Sequence, residues 1–247
     1  VFYNTGETMS EIEDYDILSY EKCTSAYDIA KSRCNDKCIA ICLNQTNGRG
    51  RWGKMWYSGV GGLWFTIARR TKLGQIGLLN IAGSLATVRG IKEVTGYDIN
   101  VRWPNDIVDF RKKIGIVNAV LAEDLAYVTI YLNTNNQLPA DLKKTAITLK
   151  EILNYEIDNL SLLKAILREF ESIILDIDEG IITKYIVEYG RLLTYLGESV
   201  SFTMSDGSEY VGEVMGLTRK GDVIIRSESG FLTIKAEDVQ KVKSVWP

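Results

Sequence analysis

The chain of 247 residues contains no histidine. That absence excludes a Ser-His-Asp triad, a histidine general base and a histidine-ligated zinc site. Chemistry has to run on Lys, Arg, Asp, Glu, Tyr, Cys, backbone groups or a borrowed ion. Proline is nearly as scarce, at three residues, and long apolar runs are missing: Ile91 to Thr95 is short and Ile173 to Ile182 is interrupted by charge. Neither matches the roughly 20 apolar residues that a membrane helix needs. No cationic, apolar, small-residue leader precedes Glu11-Ile12-Glu13-Asp14, so a soluble, cytoplasmic protein without a membrane partner is expected.

A surplus of positive charge is also lacking. Lys and Arg number 29 against 32 Asp and Glu, a net charge of -3. This weighs against broad neutralisation of a phosphate backbone and leaves room for a local basic site. The four cysteines, Cys23, Cys34, Cys38 and Cys42, crowd into the first fifth of the chain, which is not the distribution of a disulfide scaffold. They form no C-x-x-C pair, and Cys38 to Cys42 reads as a buried strand. Buried free thiols are therefore expected, rather than a metal or redox site.

What is present, 46% apolar and 25% charged residues, suffices for one large domain and a small one. Strand patterns run over Tyr15 to Lys22, Cys38 to Leu43, Leu63 to Ala68, Ile99 to Trp103, Ile114 to Ala122 and Tyr127 to Leu132, the last two joined by a Glu123-Asp124 turn. Helical spacing covers Ser25 to Cys34, Gly77 to Val94 with a stop at Gly96, Leu149 to Leu153, Leu160 to Ile174 and Ile181 to Leu193. From Gly197 short alternating runs broken by Asp206-Gly207, Lys220-Gly221 and Ser229-Gly230 suggest a small SH3-like β-barrel. The expected fold is α+β, a mixed sheet flanked by helices over residues 1–192 and the barrel over 193–247.

Two clusters carry chemistry. Gly48-Arg49-Gly50-Arg51-Trp52-Gly53-Lys54 sets three cations within six residues among glycines, which let backbone approach a ligand closely. Arginine forks suit carboxylate or phosphate, and Trp52 or Trp56 could cover an aromatic ring. Alone, the segment suits an RG-type nucleic-acid loop or a solvated basic surface equally well. The second cluster is Arg102-Trp103-Pro104-Asn105-Asp106, followed seven residues later by Lys113. Asp106 by itself suits a turn cap. With the cationic loop, a strand-end carboxylate and a neighbouring lysine suit activation of a carboxylate by a nucleoside triphosphate.

Together, in this order, the clusters resemble the biotin protein ligase family. Its G-R-G-R-x-G-R/K-x-W-x-S-P-x-G-G-L loop is similar to Gly48 to Leu63, its K-W-P-N-D to Arg102 to Asp106, and its K-K-I-A-G to Lys112-Lys113-Ile114-Gly115-Ile116. Its L-N-V-N-N is similar to Leu132 to Asn136. The resemblance implies a ligase that joins biotin to ATP as biotinyl-5'-AMP and passes the acyl group to a lysine of a biotin carboxyl carrier protein. It places Ser25, Gln45, Arg49, Gly62, Leu63, Lys113 and Gly115 at biotin. Arg51, Lys54, Trp56, Asn105, Asp106 and Asn133 fall at ATP, with Asp106 as the Mg²⁺ ligand. The catalytic set is Lys113, Arg51 and Asp106, Asp106 being also the candidate base for the acceptor lysine.

The chain departs from that pattern at several points. Ala26 and Tyr27 replace the T-N after Ser25, Ile116 stands where a glycine is expected, with Gly115 as a one-residue compensation, and Val120 replaces an acidic residue. Thr129 and Tyr131 replace paired glycines. The first strand near residue 16 leaves no room for the winged helix of some members, so DNA is not an expected partner; a homodimer is implied by the resemblance alone. The rivals are a lipoate protein ligase, which performs the same adenylation on another acid, and a non-enzymatic nucleic-acid-binding module.

Overall fold

The structure, a computed structural model, describes residues 15–244; the leader reading at Glu11 to Asp14 lies outside them. The first sheet has seven strands in the order β1-β2-β3-β7-β6-β5-β4. They are β1 (Asp16–Tyr20), β2 (Cys38–Cys42), β3 (Leu63–Arg70), β4 (Asn100–Arg102), β5 (Asp106–Asp109), β6 (Lys112–Ala122) and β7 (Leu125–Leu132). β1 and β2 are parallel and linked by α1 (Ala26–Arg33); the other neighbours run antiparallel.

Alternation along the strands gives the sheet two different faces. Ile39, Ile41, Phe65, Ile67, Val128 and Ile130 enter the main core under α2 (Ile76–Thr95) and α4 (Asn159–Asp178). The opposite face carries Ala40, Ala68 and Tyr127 beside Ala30 of α1, and Trp64, Ile116 and Tyr131 beside Ala26. α2 is buried along most of its length and stops at Gly96, which takes the left-handed conformation at φ 73°. α3 (Leu149–Leu153) begins with a capping box in which Thr148 and Glu151 satisfy each other's backbone N–H. α5 (Thr183–Leu192) leads out to the second sheet.

That second sheet is antiparallel, ordered β11-β10-β9-β8-β12, with β8 (Ser199–Met204), β9 (Glu209–Leu217), β10 (Val223–Ser227), β11 (Gly230–Ile234) and β12 (Val239–Ser244). It does not stand apart. Val200, Phe202, Val223 and Ile225 belong to the same apolar core as Trp103 and Tyr195. The Trp103 indole donates to the Gly221 carbonyl at 2.9 Å, and the Tyr195 hydroxyl donates to the Trp103 carbonyl. Two strands escape the sequence patterns. β5 is four residues directly after a Pro-Asn turn, and β12 alternates with exposed polar residues where no apolar run marks it.

The expectation of free thiols is overturned. Cys23 pairs with Cys42 and Cys34 with Cys38, leaving no free cysteine. Parallel pairing of Tyr20 with Cys42 brings the residues just after β1 to the end of β2, and α1 delivers Cys34 to the start of β2. The Cα atoms lie 6.1 and 5.4 Å apart, a separation that a disulfide spans. Among the described residues no helix is long and apolar enough to cross a membrane.

Candidate active site

A cavity of about 490 Å³ lies where β5 and β6, the Gly50–Tyr57 loop, the 138–146 segment and β12 converge. Strand register builds its charged floor. Arg102 of β4 faces Asp106 of β5, and its guanidinium donates to Asp106 Oδ2 from Nε at 3.1 Å and from Nη2 at 2.8 Å. The β5 to β6 register then slips: Ile107 faces Gly115 while Val108 faces Lys113. The extra residue, Ile114, enters the core, and the bulge turns Lys113 onto the cavity face with Asp106 and Ile116. Lys113 Nζ lies 2.8 Å from Asp106 Oδ1 and 6.0 Å from the Trp56 ring centre. Its backbone is fixed from the other side, donating to Thr145 O at 2.9 Å and accepting from Ile147 N at 3.0 Å.

Arg51, Lys54, Arg102, Arg111 and Lys113 line this space, with Asp106 as its one carboxylate among the described residues. A concave wall so lined focuses positive potential and suits a polyanion. Asn105 and Asn133 are buried in the wall. Asn133 Oδ1 accepts from Asn136 Nδ2 at 3.1 Å, and its backbone N–H donates to Ile114 O at 2.8 Å, tying the end of β7 to β6. Among the described residues no three acidic or cysteine side chains group as a metal cage. Asp106 with Asn105 fits the magnesium mode in which one carboxylate is completed by substrate phosphates.

The glycine-rich loop closes on itself and onto β12. Gly50 N donates to Lys54 O and Trp56 N to Gly48 O, both at 2.8 Å, closing a short reversal. Its tip is held on β12. Arg51 Nη2 donates to Val239 O at 2.9 Å and to Ala236 O, Trp52 Nε1 to Val239 O at 2.8 Å, and Lys54 Nζ to Gln240 O at 3.3 Å. Burial holds the Arg51 guanidinium below its usual pKa, against the pull of Asp106 and Glu237. Its Nη1 is buried without a partner.

The residues expected at the acid are less well gathered. Ser25 caps α1, accepting from Asp28 N at 3.0 Å. Gln45 accepts from Ala26 N at 2.7 Å and donates to Ser58 Oγ at 2.8 Å. Both are buried, as are Gly62 and Leu63, and none of the four lines the cavity. Arg49 is exposed and donates to Asn47 Oδ1 at 3.1 Å, outside the cavity. Gly115 is not brought to the cavity either. A Cβ there would lie 2.4 Å from both Tyr131 O and Leu132 Cδ2, so glycine serves the approach of β7. Ile116 lines the cavity in its place.

Sequence patterns alone did not point to Leu138, Thr145, Ala146 and the β12 residues Val239 to Val242, all of which line the cavity. No local signal marks them, since they arrive from distant segments. The same holds for the brace on the loop after Val60. Thr134 Oγ1 and Asn159 Nδ2 donate to Gly61 O at 2.8 and 3.0 Å.

Residues 20–135 match the model of the biotin/lipoate A/B protein ligase family. The chain is 26% identical over 237 residues to the bifunctional ligase/repressor BirA of Bacillus subtilis (strain 168), covering 92% of this chain and 72% of that one. It is 30% identical over 216 residues to the biotin–protein ligase of Homo sapiens, covering 78% of this chain and 28% of the human protein. In fold it is similar to the biotin protein ligase from Aquifex aeolicus in complex with biotin and ATP. There the TM-score is 0.85 at 25% identity, over 93% of this chain and 99% of the other. Over residues 20–135 the chain is similar to the biotin/lipoate A/B protein ligase family. These relatives by sequence and by fold are ligases, and this chain is a ligase enzyme.

Proposed function

We propose that the protein activates biotin with ATP, forming biotinyl-5'-AMP and releasing pyrophosphate, then transfers the acyl group to a lysine of a biotin carboxyl carrier protein. The observation that carries this reading is the Lys113 ammonium, held 2.8 Å from Asp106 in a cavity lined by further cations. A carboxylate attacking an α-phosphate brings two anions together. Fixed positive charge at the point of attack removes that repulsion and needs no imidazole. Lys113 sits where it can bridge both anions, and Arg51 and Lys54 leave their β12 carbonyls for the phosphates. Trp56 offers a flat wall for adenine and Asn133 a polar edge.

Asp106 and Asn105 would hold Mg²⁺ together with the phosphates, and the ion supplies charge neutralisation there. Once its two cationic partners turn to the nucleotide, Asp106 is the carboxylate placed to take the proton from the incoming amine. Residues 1–192 would form the catalytic domain and 193–247 an SH3-like module. The proposal includes a homodimer acting in the cytoplasm, a location that the two disulfides weigh against.

Pyrophosphate release from ATP, with biotin or lipoate as the sole acid, tests the reading. Release with biotin is expected, and Lys113→Ala should cut it by about 100-fold or more. Release with lipoate alone would move the protein to the other branch of the family. Steeply salt-dependent binding to random-sequence DNA, with no release for either acid, would favour a nucleic-acid module.

A further inference from the structure

Between the cationic cavity and the Ser25–Gln45 pair stands a wall of side chains. Ile116 of β6 and Tyr131 of β7 face each other in register. They are 3% and 0% exposed and form one apolar cluster with Ala26, Cys42 and Trp64. The loop closes over them, because a Cβ on Gly50 would lie 3.3 Å from Ile116 Cδ1. The cavity is lined by Ile116 and Trp56 and reaches neither Ser25 nor Gln45. At this boundary two buried donors, Trp56 Nε1 and the Tyr131 hydroxyl, have no hydrogen bond. The hydroxyl faces Gln45, Ser25 and the Tyr27 backbone but forms a full hydrogen bond with none of them. Buried donors left in this state find partners when a ligand brings acceptors.

We propose that Ile116 and Tyr131 form a plug that sets selectivity and affinity for the acid, whose head reaches Ser25 and Gln45 only by displacing them. The inference deepens, and rests on, the reading of the protein as an acid-activating ligase. Displacement exchanges packing inside the protein for packing against the ligand, so the native chain binds a bulky bicyclic head weakly. The head it accepts carries a carbonyl oxygen for the Tyr131 or Trp56 donor.

Calorimetric titration of the full chain with biotin, alongside KM for biotin and for ATP in pyrophosphate release, tests the plug. Ile116→Ala should tighten biotin binding and lower its KM by about tenfold or more, the scale on which small changes in an apolar pocket act. Ile116→Gly should do more and Ile116→Val less. Should Ile116→Gly fail to fold, the graded pair Ile116→Val and Ile116→Ala carries the test. Equal biotin affinity in the native chain and Ile116→Ala, with turnover intact, would overturn the plug alone. ATP binding without biotin binding in the native chain and in every variant would overturn the plug and the ligase reading together.

Discussion

Asp106 joins two cations at the floor of the cavity. Its two oxygens are divided between Arg102 and Lys113, at 2.8 Å each. The carboxylate thus holds the lysine ready while balancing part of the positive charge that a nucleotide would otherwise neutralise. Tyr131 illustrates the opposite condition, a buried phenol whose pKa is raised by desolvation and which stays a neutral donor. Gly115 carries the sharpest residue-scale expectation. Gly115→Ala places a methyl 2.4 Å from a main-chain oxygen of β7, which cannot swing aside as a side chain can. Overpacking of this kind costs about 1–3 kcal/mol, to be read as a lowered urea midpoint at constant slope. An unchanged midpoint would show that β6 and β7 slide apart freely and that glycine is not needed for their approach.

Among the elements, β3 and α4 are joined by an ion pair outside the lining of the cationic cavity. Arg69 Nη2 lies 2.8 Å from Glu171 Oε1, and the Tyr15 hydroxyl donates to Oε2 at 2.7 Å. Burial pushes the Glu171 carboxyl up, but the hydrogen bonds from Arg69 and Tyr15 together outweigh it and hold the pKa below its ordinary 4.5. A lowered folded-state pKa contributes stability at pH above the unfolded value, and that contribution is lost as pH falls through the folded one. Glu171→Gln should therefore flatten the acid limb of the stability profile below about pH 4.5. Arg69→Met should cost about 3 kcal/mol at neutral pH, because it strands a mostly buried carboxylate. Denaturant titrations across acid and neutral pH check both. An acid limb identical to the native one in Glu171→Gln would mean that other carboxylates govern acid unfolding.

At the scale of the molecule, the two sheets share one apolar core, and the cationic loop hangs between them. Trp103, in the turn between β4 and β5, packs edge-on against Phe202 of the second sheet, with ring centres 6.1 Å apart. Arg51, Trp52 and Lys54 are held by β12 carbonyls. Scanning calorimetry should accordingly show one cooperative transition, with calorimetric and van't Hoff enthalpies equal. Two resolved transitions would instead show independently folding domains with a boundary near residue 193. Under the proposed reading, nucleotide binding that draws Arg51 and Lys54 away from β12 would perturb the C-terminal sheet, although that sheet lies far from them in sequence.

Much of this was legible from residues alone. Helical spacing marked α2 and its stop at Gly96, alternation marked β6 and β7, and the glycine-cation loop with Trp103-Pro104-Asn105-Asp106 pointed to acyl-adenylate chemistry. Such signals are local, because hydrophobic period, turn chemistry and charge need only near neighbours along the chain. The absence of histidine likewise ruled out an imidazole base, a histidine triad and a histidine-ligated zinc. Only the tertiary structure decided the rest. A bulge at Ile114 turned Lys113 toward Asp106, and parallel pairing of β1 with β2 joined the cysteines. β12 became a wall of the cavity, and Ile116 met Tyr131 across the strand where the acid's path would run. Each of these depends on which distant backbone lies alongside which, and on one residue of register that reverses the face a side chain takes.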